Sequence, residues 1–276
     1  MKVLVYYNKE KDWGGCCKNE LVARLTENQI EYLLLEDEML NSSISADALF
    51  AIGGDGTILF LAEFANKNSI PIIGINAGKL GFLCEFEKNE IELAINCLKN
   101  GDYIKDERTM LLIRTNESTY YYALNEVYVQ RTYDKTVGNT VAEMQIEIDN
   151  SYLTKYCGDG AIISSPTGST AYSFSLGAPI ISPNANVFTM TPIAAHTFNQ
   201  RPIVYSDDSN CCIKVSGKAQ VGMFIDGRLV EFINQNDSIE ITKVDKKLMF
   251  LRKKDYNFFK KLVYKLNKTS GEIVND

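Results

Sequence analysis

The feature that most constrains the fold is an unbroken apolar run at residues 48–52, followed directly by a glycine-rich turn. An apolar run of this length with no polar position predicts a strand buried on both faces, as strands of parallel sheets are. Similar short runs and amphipathic, helix-like stretches alternate through the first hundred residues: strands at 3–7, 32–35 and 72–75, helices at 19–28, 58–66 and 89–99. This alternation predicts an α/β domain with a mostly parallel sheet over residues 1–100.

Near Gly101 the pattern changes to the period of two that is typical of half-exposed strands. Polar residues alternate there with Ala142, Met144, Ile146 and Ile148. Further strands are predicted at residues 110–115, 120–130, 211–216, 221–225, 238–242 and 247–251. Residues 101–253 are therefore expected to form a β-rich domain. Residues 254–276 contain a basic amphipathic stretch, which predicts a helix that packs back on the first domain.

The charge and the cysteine pattern exclude several classes of protein. With 29 Lys and Arg against 35 Asp and Glu, the 276-residue chain has a formal net charge of -6, which argues against a general nucleic-acid binder. Seven cysteines without a C-x-x-C spacing fit neither a disulfide framework nor a zinc ribbon. There is no signal-peptide core and no apolar run of the roughly 18 residues that a membrane helix needs. We therefore expect a cytoplasmic protein without nucleic-acid or membrane partners.

The sharpest local signal is the turn formed by Gly53, Gly54, Asp55, Gly56 and Thr57 between the buried strand and the next helix. Glycines let backbone amides approach a ligand closely, and a helix N-terminus favours phosphate, so the turn indicates an anion site. A carboxylate beside a phosphate is repelled. Asp55 therefore makes sense if it bridges through a divalent cation or accepts a proton from an attacking hydroxyl. The alternative is an aspartate that only caps the helix.

Two further polar segments are ambiguous when each is taken alone. Residues 164–172 carry six hydroxyl side chains, which would offer donors to a ribose, a phosphate or a base, or would form an elaborate helix cap. Asn125 and Glu126 interrupt the predicted strand at 120–130. An amide beside a carboxylate suits vicinal ribose hydroxyls, but an edge position facing water explains the pair equally well. Asp226-Gly227 is explained locally as a hairpin turn, as is Asp149-Asn150.

Together, in this order and spacing, these segments resemble the NAD kinase family. The matching pieces are the 53–57 turn, residues 78–83, the pair Asn125-Glu126, and residues 158–183, 191–196 and 201–204. The resemblance covers most of the chain, and residues 158–183 are its most specific part. The glycine turn alone is shared with diacylglycerol and sphingosine kinases.

The resemblance implies transfer of the γ-phosphoryl group of ATP, or of polyphosphate in some members, to the 2′-hydroxyl of the adenosine ribose of NAD, giving NADP. Asp55 would be the catalytic carboxylate that takes the hydroxyl proton. Mg²⁺, held with the ATP phosphates rather than by a protein-only site, would supply much of the charge neutralisation. Family members are usually homodimers or homotetramers, and the same is expected here.

The site residues that the resemblance implies come from both predicted domains. The phosphate-binding loop would consist of Gly53, Gly54, Gly56 and Thr57. The NAD site would be lined by Asp55, Gly56, Phe82, Asn125, Glu126, Asp159, Thr167, Thr170, Ala171, Tyr172, Ser173, Phe174, Ser175 and Ala194.

Two departures from the family pattern and two alternative functions stay open. Cys157 stands where members commonly have an arginine, so a charge contact to the substrate is missing or comes from Lys155. Arg228 follows Asp226-Gly227 where an uncharged polar residue is frequent. A non-catalytic NAD(P)-binding sensor would not need Asp55. A lipid kinase usually carries an element after the glycine turn that differs from residues 74–81 of this chain.

Overall fold

The computed structural model describes residues 1–78, 81–115, 119–132, 141–197, 199–235 and 237–269. The chain divides into two compact units, the first formed by Met1–Glu107 with Leu248–Asp276 and the second by Arg108–Lys247. Among the described residues, no helix is both long and apolar enough to cross a membrane. All seven cysteines lie within the described ranges and are free thiols.

The secondary structure consists of short helices and many strands. The helices are α1 (Cys16–Glu27), α2 (Asp55–Asn68), α3 (Ile91–Asn100), α4 (Tyr172–Ser175) and α5 (Phe258–Thr269). The strands at the two ends of the chain are β1 (Lys2–Tyr7), β2 (Glu31–Leu34), β3 (Ala48–Gly53), β4 (Ile72–Asn76), β5 (Phe86–Glu87), β6 (Ile104–Arg108) and β19 (Leu248–Arg252). The strands between them are β7 (Leu111–Thr115), β8 (Tyr120–Ala123), β9 (Glu126–Arg131), β10 (Ala142–Ile148), β11 (Ser151–Gly158), β12 (Gly160–Ser164), β13 (Val187–Ile193), β14 (Ile203–Ser206), β15 (Cys211–Gly217), β16 (Val221–Ile225), β17 (Arg228–Ile233) and β18 (Ser238–Lys243).

The first unit is built on a seven-stranded sheet with the order β2-β1-β3-β4-β19-β6, in which β5 also pairs with β4. The pairs β1–β2, β1–β3, β3–β4, β4–β5 and β4–β19 are parallel, which confirms the predicted α/β architecture. β3 is buried along its whole length, as its apolar run predicts. Helices α1 and α3 cover the sheet, and Leu21, Leu25, Ala94 and Ile95 join one core cluster with residues of β1, β3 and β4.

The turn that follows β3 and the chain that follows β4 meet at one edge of this sheet. Neighbouring parallel strands end at the same edge, and ligands of α/β proteins bind there. The Ala77 amide donates to the Gly53 carbonyl at 2.8 Å, which ties the two strand ends together. The fold therefore brings the 53–57 turn close to residues that lie more than twenty positions further along the chain.

The C-terminal part of the chain returns to the first unit. β19 was expected in the β-rich domain, but Phe250 pairs with Ile72 of β4. The sequence pattern identifies a strand without specifying its partner, so it could not place β19 in the correct sheet. The predicted C-terminal helix is present as α5, and the Phe258 ring lies 6.4 Å from the Phe82 ring of the first unit.

The second unit contains two six-stranded sheets, with the orders β11-β10-β15-β18-β7-β8 and β14-β13-β12-β9-β16-β17. One apolar cluster draws residues from both sheets, including Met144 and Ile213 from the first and Val129 and Ile163 from the second. The alternation predicted for β10 is confirmed, because Ala142, Met144 and Ile146 are fully buried. This unit is the predicted β-rich domain.

The strand predicted at residues 120–130 is interrupted. β8 ends at Ala123 and β9 begins at Glu126. The amides of Leu124 and Asn125, and that of Glu126 at the start of β9, donate to the Asp226 carboxylate. The sequence could not show this break, because the side chain that causes it comes from a hairpin about a hundred residues later.

Gly160 gives a test of the packing of the second unit. A Cβ at this position would lie 1.9 Å from the Val129 carbonyl oxygen on the neighbouring strand, so Gly160→Ala must shift backbone. We expect the substitution to lower the free energy of unfolding by about 1–3 kcal/mol and to lower the thermal midpoint measured by circular dichroism. An unchanged midpoint would show that β9 and β12 are not packed as described.

Candidate active site

The 53–57 turn is built as the sequence predicts, and its glycines have a packing reason. Gly53 ends β3, and the Gly54 amide lies 3.4 Å from the Thr57 hydroxyl oxygen at the start of α2. A Cβ on Gly53 would lie 2.1 Å from that same oxygen, so only glycine fits. The Thr57 side chain is 4% exposed, so its hydroxyl serves the turn. Gly56 is exposed, with no atom within 4 Å of an ideal Cβ.

Asp55 does not cap its own helix. Its Oδ2 accepts the Phe82 amide at 2.7 Å and its Oδ1 accepts the Leu83 amide at 3.0 Å. Gly81 lies so close that a Cβ there would fall 1.8 Å from Oδ1. We call residues 81–85 the clamp segment. It fixes the orientation of a half-exposed carboxylate, and each oxygen keeps capacity to accept a further hydrogen bond.

Phe82 contributes to the site through its backbone as well as its ring. Its side chain is half-buried, and Lys265 Nζ of α5 lies 4.1 Å from the centre of the ring. The clamp segment therefore connects Asp55 with the C-terminal helix. No pattern in the sequence indicated the role of the Leu83 amide.

In the second unit, Asn125 and Glu126 occupy the break between β8 and β9. Asp226 Oδ1 accepts the Asn125 amide at 2.8 Å and the Glu126 amide at 3.1 Å, and Oδ2 accepts the Leu124 amide at 2.9 Å. Asp226 and Gly227 have positive φ angles of 46° and 82°, so the predicted hairpin turn is present. The interpretation that the turn alone explains Asp226 was wrong, because its carboxylate also organises the predicted substrate residues.

Glu126 is a buried acid. Its side chain is 4% exposed, and its Oε2 has no hydrogen-bond partner among the residues that the structure describes. Burial, together with the nearby charge of Asp226, raises the pKa of Glu126 to about 8, although the Tyr172 amide donates to it. Burial also raises the pKa of Asp226, but its three amide donors favour the charged form. Near neutral pH, Glu126 is therefore the member of the pair that keeps a proton.

The hydroxyl-rich segment mostly bonds to itself. Ser164, Ser165, Ser169 and Ser173 are at most 1% exposed. Ser165 donates to the Leu124 carbonyl at 2.5 Å, and Ser173 donates to the Gly168 carbonyl at 3.1 Å. The buried Thr167 hydroxyl accepts from Arg108 at 3.4 Å. These hydroxyls therefore bond within the loop and shape it, but the expected side-chain cap is absent, because neither short helix of this described segment has a side-chain hydrogen bond at its N-cap residue.

Other predicted residues of this segment remain accessible. Thr170, Ala171 and Tyr172 are half-buried, whereas Phe174 and Ser175 are exposed. The Tyr172 ring packs edge-on against Tyr128, with centroids 5.1 Å apart, and Tyr128 stacks on Phe224. A partly exposed aromatic ring is suited to stack on a planar base.

Asp159 and Ala194 lie at the same end of the β12–β13 pair, Asp159 just before β12 and Ala194 just after β13. Arg131 Nε lies 2.6 Å from Asp159 Oδ1, and the Asp159 amide donates to the Ile193 carbonyl at 2.9 Å. Ala194 is exposed, with φ at 43°. Lys155 is paired with Glu143 at 2.8 Å, so the cation beside Asp159 is Arg131, which the sequence analysis did not identify.

Within each unit the structure brings together part of the predicted set. In the first unit these residues are the 53–57 turn and Phe82. In the second unit, Asn125, Glu126 and Tyr172 meet around the strand break, and Thr167 and Ser173 lie in the loop beside it. No group of three His, Cys, Asp or Glu side chains that could hold a metal ion is found in the described ranges.

Glu126 makes the stability of the protein depend on pH. A carboxyl group whose pKa is raised on folding contributes stability that is complete below about pH 4.5 and is lost as the pH rises toward 8. We expect Glu126→Gln, which cannot ionise, to gain stability relative to the wild type over this range, by at most about 1.4 kcal/mol per pH unit. Urea unfolding of both proteins at pH 5, 6.5 and 8 measures the difference. Parallel pH profiles would contradict a protonated Glu126.

Comparison with known proteins covers both units. Residues 21–103 match the family model described as "ATP-NAD kinase N-terminal domain", and residues 124–253 match "ATP-NAD kinase C-terminal domain". The NAD kinase of Fusobacterium nucleatum is 34% identical over 267 residues, covering 96% of this chain and 97% of that protein. The NAD kinase of Cytophaga hutchinsonii is 31% identical over 263 residues, covering 91% of this chain and 89% of that protein.

A solved structure shares the fold. The yeast NADH kinase, crystallised with NADH, superposes with a TM-score of 0.84 at 22% identity, over 100% of this chain and 89% of that one. Three findings point to the same family. They are the matches to both family models, the similarity to curated NAD kinases along nearly the whole chain, and the glycine turn with its fixed carboxylate. The chain belongs to the NAD kinase family and is an enzyme of this kind.

Proposed function

We propose that this protein transfers the γ-phosphoryl group of ATP to the 2′-hydroxyl of the adenosine ribose of NAD, with Asp55 as the base. As a member of the NAD kinase family, the chain phosphorylates NAD to NADP. The observation that supports the assignment of Asp55 as the base is the geometry of its carboxylate. Asp55 stands at the start of α2, and its half-exposed carboxylate is fixed by the amides of Phe82 and Leu83.

In this proposal, Asp55 accepts the proton of the 2′-hydroxyl as the oxygen attacks the γ-phosphorus. A bond forms between that oxygen and phosphorus, and the bond from phosphorus to the β-γ bridging oxygen of ATP breaks, which releases ADP. Phosphoryl transfer asks a protein mainly for positioning and for stabilisation of charge. A carboxylate held by two amides meets the first requirement, because little reorganisation is needed when the hydroxyl arrives.

The phosphates are proposed to bind the Gly53, Gly54, Gly56 and Thr57 turn. The backbone is accessible at Gly56, and the first amides of α2 point toward the helix N-terminus, which favours an anion. A divalent cation, most simply Mg²⁺, fits this chemistry. Mg²⁺ prefers oxygen ligands and is commonly held by substrate phosphates with one or two carboxylates, and Asp55 is the carboxylate of the turn. When bound, the ion would neutralise phosphate charge.

Residues of the second unit are proposed to bind the dinucleotide. A protonated Glu126 donates a hydrogen bond to a ribose hydroxyl, and the half-exposed Asn125 offers an amide beside it. The half-buried ring of Tyr172 stacks on a base. Asp159, Thr167, Thr170, Ala171, Ser173, Phe174, Ser175 and Ala194 complete the proposed set, and the fully buried Ser173 hydroxyl acts by shaping the loop.

The proposal extends to the donor, the assembly and the compartment. ATP is the proposed donor, with polyphosphate as the alternative. The protein is proposed to act as a homodimer or homotetramer in the cytoplasm, on small molecules and without nucleic-acid or membrane partners. Its net charge of -6 supports the absence of a nucleic-acid partner.

The assignment of Asp55 is tested by Asp55→Asn. The amide keeps the size of the side chain but cannot take a proton, so we expect kcat to fall about 10²–10⁴-fold while the Kd for NAD changes only a few-fold. The assay supplies NAD, ATP and Mg²⁺ and measures NADP with an NADP-specific dehydrogenase.

The matched control is Asp245→Asn, at an exposed aspartate of the second unit, which should retain wild-type kcat. Substantial turnover by Asp55→Asn would show that another group is the base. A folded wild type that binds NAD but forms no NADP with ATP or with polyphosphate would favour a sensor.

A further inference from the structure

Two cationic side chains to which the proposed reaction assigns no role, Arg252 and Lys261, bind main-chain carbonyls of the clamp segment. The carbonyl oxygens of Leu83 and Cys84 accept hydrogen bonds from Arg252 at the end of β19 and from Lys261 on α5. The Leu83 carbonyl belongs to a residue whose amide holds Asp55, and the Cys84 carbonyl belongs to the next residue. We propose that Arg252 and Lys261 are positioning residues for phosphoryl transfer, which act through the clamp segment to orient the Asp55 carboxylate. This inference rests on the proposed function of Asp55.

Arg252 is fully buried, so its charge must be balanced inside the unit. Its Nη1 donates to the Leu83 carbonyl at 2.8 Å, and its Nε lies 2.5 Å from Asp106 Oδ2. The guanidinium lies over the rings of Phe250 and Tyr256, 4.8 Å and 4.6 Å from their centres. A buried guanidinium held by two rings, a carboxylate and a carbonyl has a fixed position, and it fixes the carbonyl that it binds.

Lys261 binds the same segment from α5. Its Nζ donates to the Cys84 carbonyl and lies 3.7 Å from Glu85 Oε2, and its side chain is 13% exposed. Burial and the nearby Arg252 charge lower the pKa of Lys261 to about 8, while Glu85, Asp55 and Cys84 favour its charged form. Keeping two cations together in this place is costly, and both of them bind the backbone of the clamp segment.

The clamp segment is also pressed against the sheet. The Glu85 amide donates to the Gly74 carbonyl of β4 at 3.0 Å, and a Cβ on Gly74 would lie 2.9 Å from the Cys84 Cα. The segment is therefore bound by β4 as well as by Arg252 and Lys261. Its amides present a fixed pair of donors to Asp55, and small displacements of such groups are expensive for a reaction that depends on positioning.

A purely structural role makes a different prediction. If Lys261 served only to attach α5, its loss would lower stability without a specific effect on the rate. If it positions Asp55, its loss lowers kcat in a protein that still folds and still binds NAD. The exposed Lys260, next to it on α5, provides a matched control.

The test compares Lys261→Met, Lys261→Gln and Lys260→Met in the full chain. We expect Lys261→Met to lower kcat about 10–100-fold, with the KM for NAD within about two-fold of wild type. Lys261→Gln keeps a donor for the Cys84 carbonyl and should fall between the wild type and Lys261→Met. Lys260→Met should match the wild type. Site-resolved hydrogen exchange should show faster exchange of the Phe82 and Leu83 amides in Lys261→Met, with the sheet strands unchanged.

The alternative outcomes are distinct. Wild-type kcat in Lys261→Met, or equal impairment by Met and Gln, would overturn the inference. If Lys261→Met does not fold, Lys261→Ala, which also lacks a donor, takes its place, and wild-type exchange of the two amides together with wild-type kcat in that variant would also overturn the inference. A wild type that forms no NADP would instead contradict the proposed function, and the exchange data would still report whether Lys261 holds the clamp segment.

Discussion

The two amide hydrogen bonds that hold the Asp55 carboxylate are the interaction on which the site depends. They require a glycine at position 81, because a side chain there would occupy the space of the carboxylate. They also require that the chain after β4 return to the end of β3, which the parallel sheet provides. Burial of β3 and β4 thus places a charged group at a sheet edge, and the clamp segment gives that group one orientation. The chemistry proposed for the protein follows from this orientation.

The number of hydrogen-bond donors distinguishes the two buried acids of the second unit, Asp226 and Glu126. Asp226 is buried but accepts three amides, which favour its charge, whereas Glu126 has an oxygen with no partner among the described residues. Because two charges so close together repel each other, the proton resides on the acid with fewer donors. The same break in the strand therefore yields an anion that shapes the backbone and a neutral acid that is available to donate to a ligand.

The sequence predicted what depends on local pattern. The buried strand β3, the glycine turn, the change to a period of two and the hairpin turns could all be identified from neighbouring residues. It could not predict the partner of β19, the role of Asp226 or the clamp, since the Asp55 contacts span 27 and 28 positions and those of Asp226 span 100 to 102. The serine hydroxyls of the 164–175 loop were ambiguous for a related reason, because their partners are main-chain atoms that only the folded loop brings near.

The most direct test of the account is a crystal structure of the wild-type protein with NAD bound. We predict that an Asp55 carboxylate oxygen lies within about 2.6–3.2 Å of the 2′-oxygen of the adenosine ribose, while Phe82 and Leu83 still donate to the same carboxylate. An adenosine 2′-oxygen beyond the reach of Asp55, or a carboxylate released from both amides, would contradict the account.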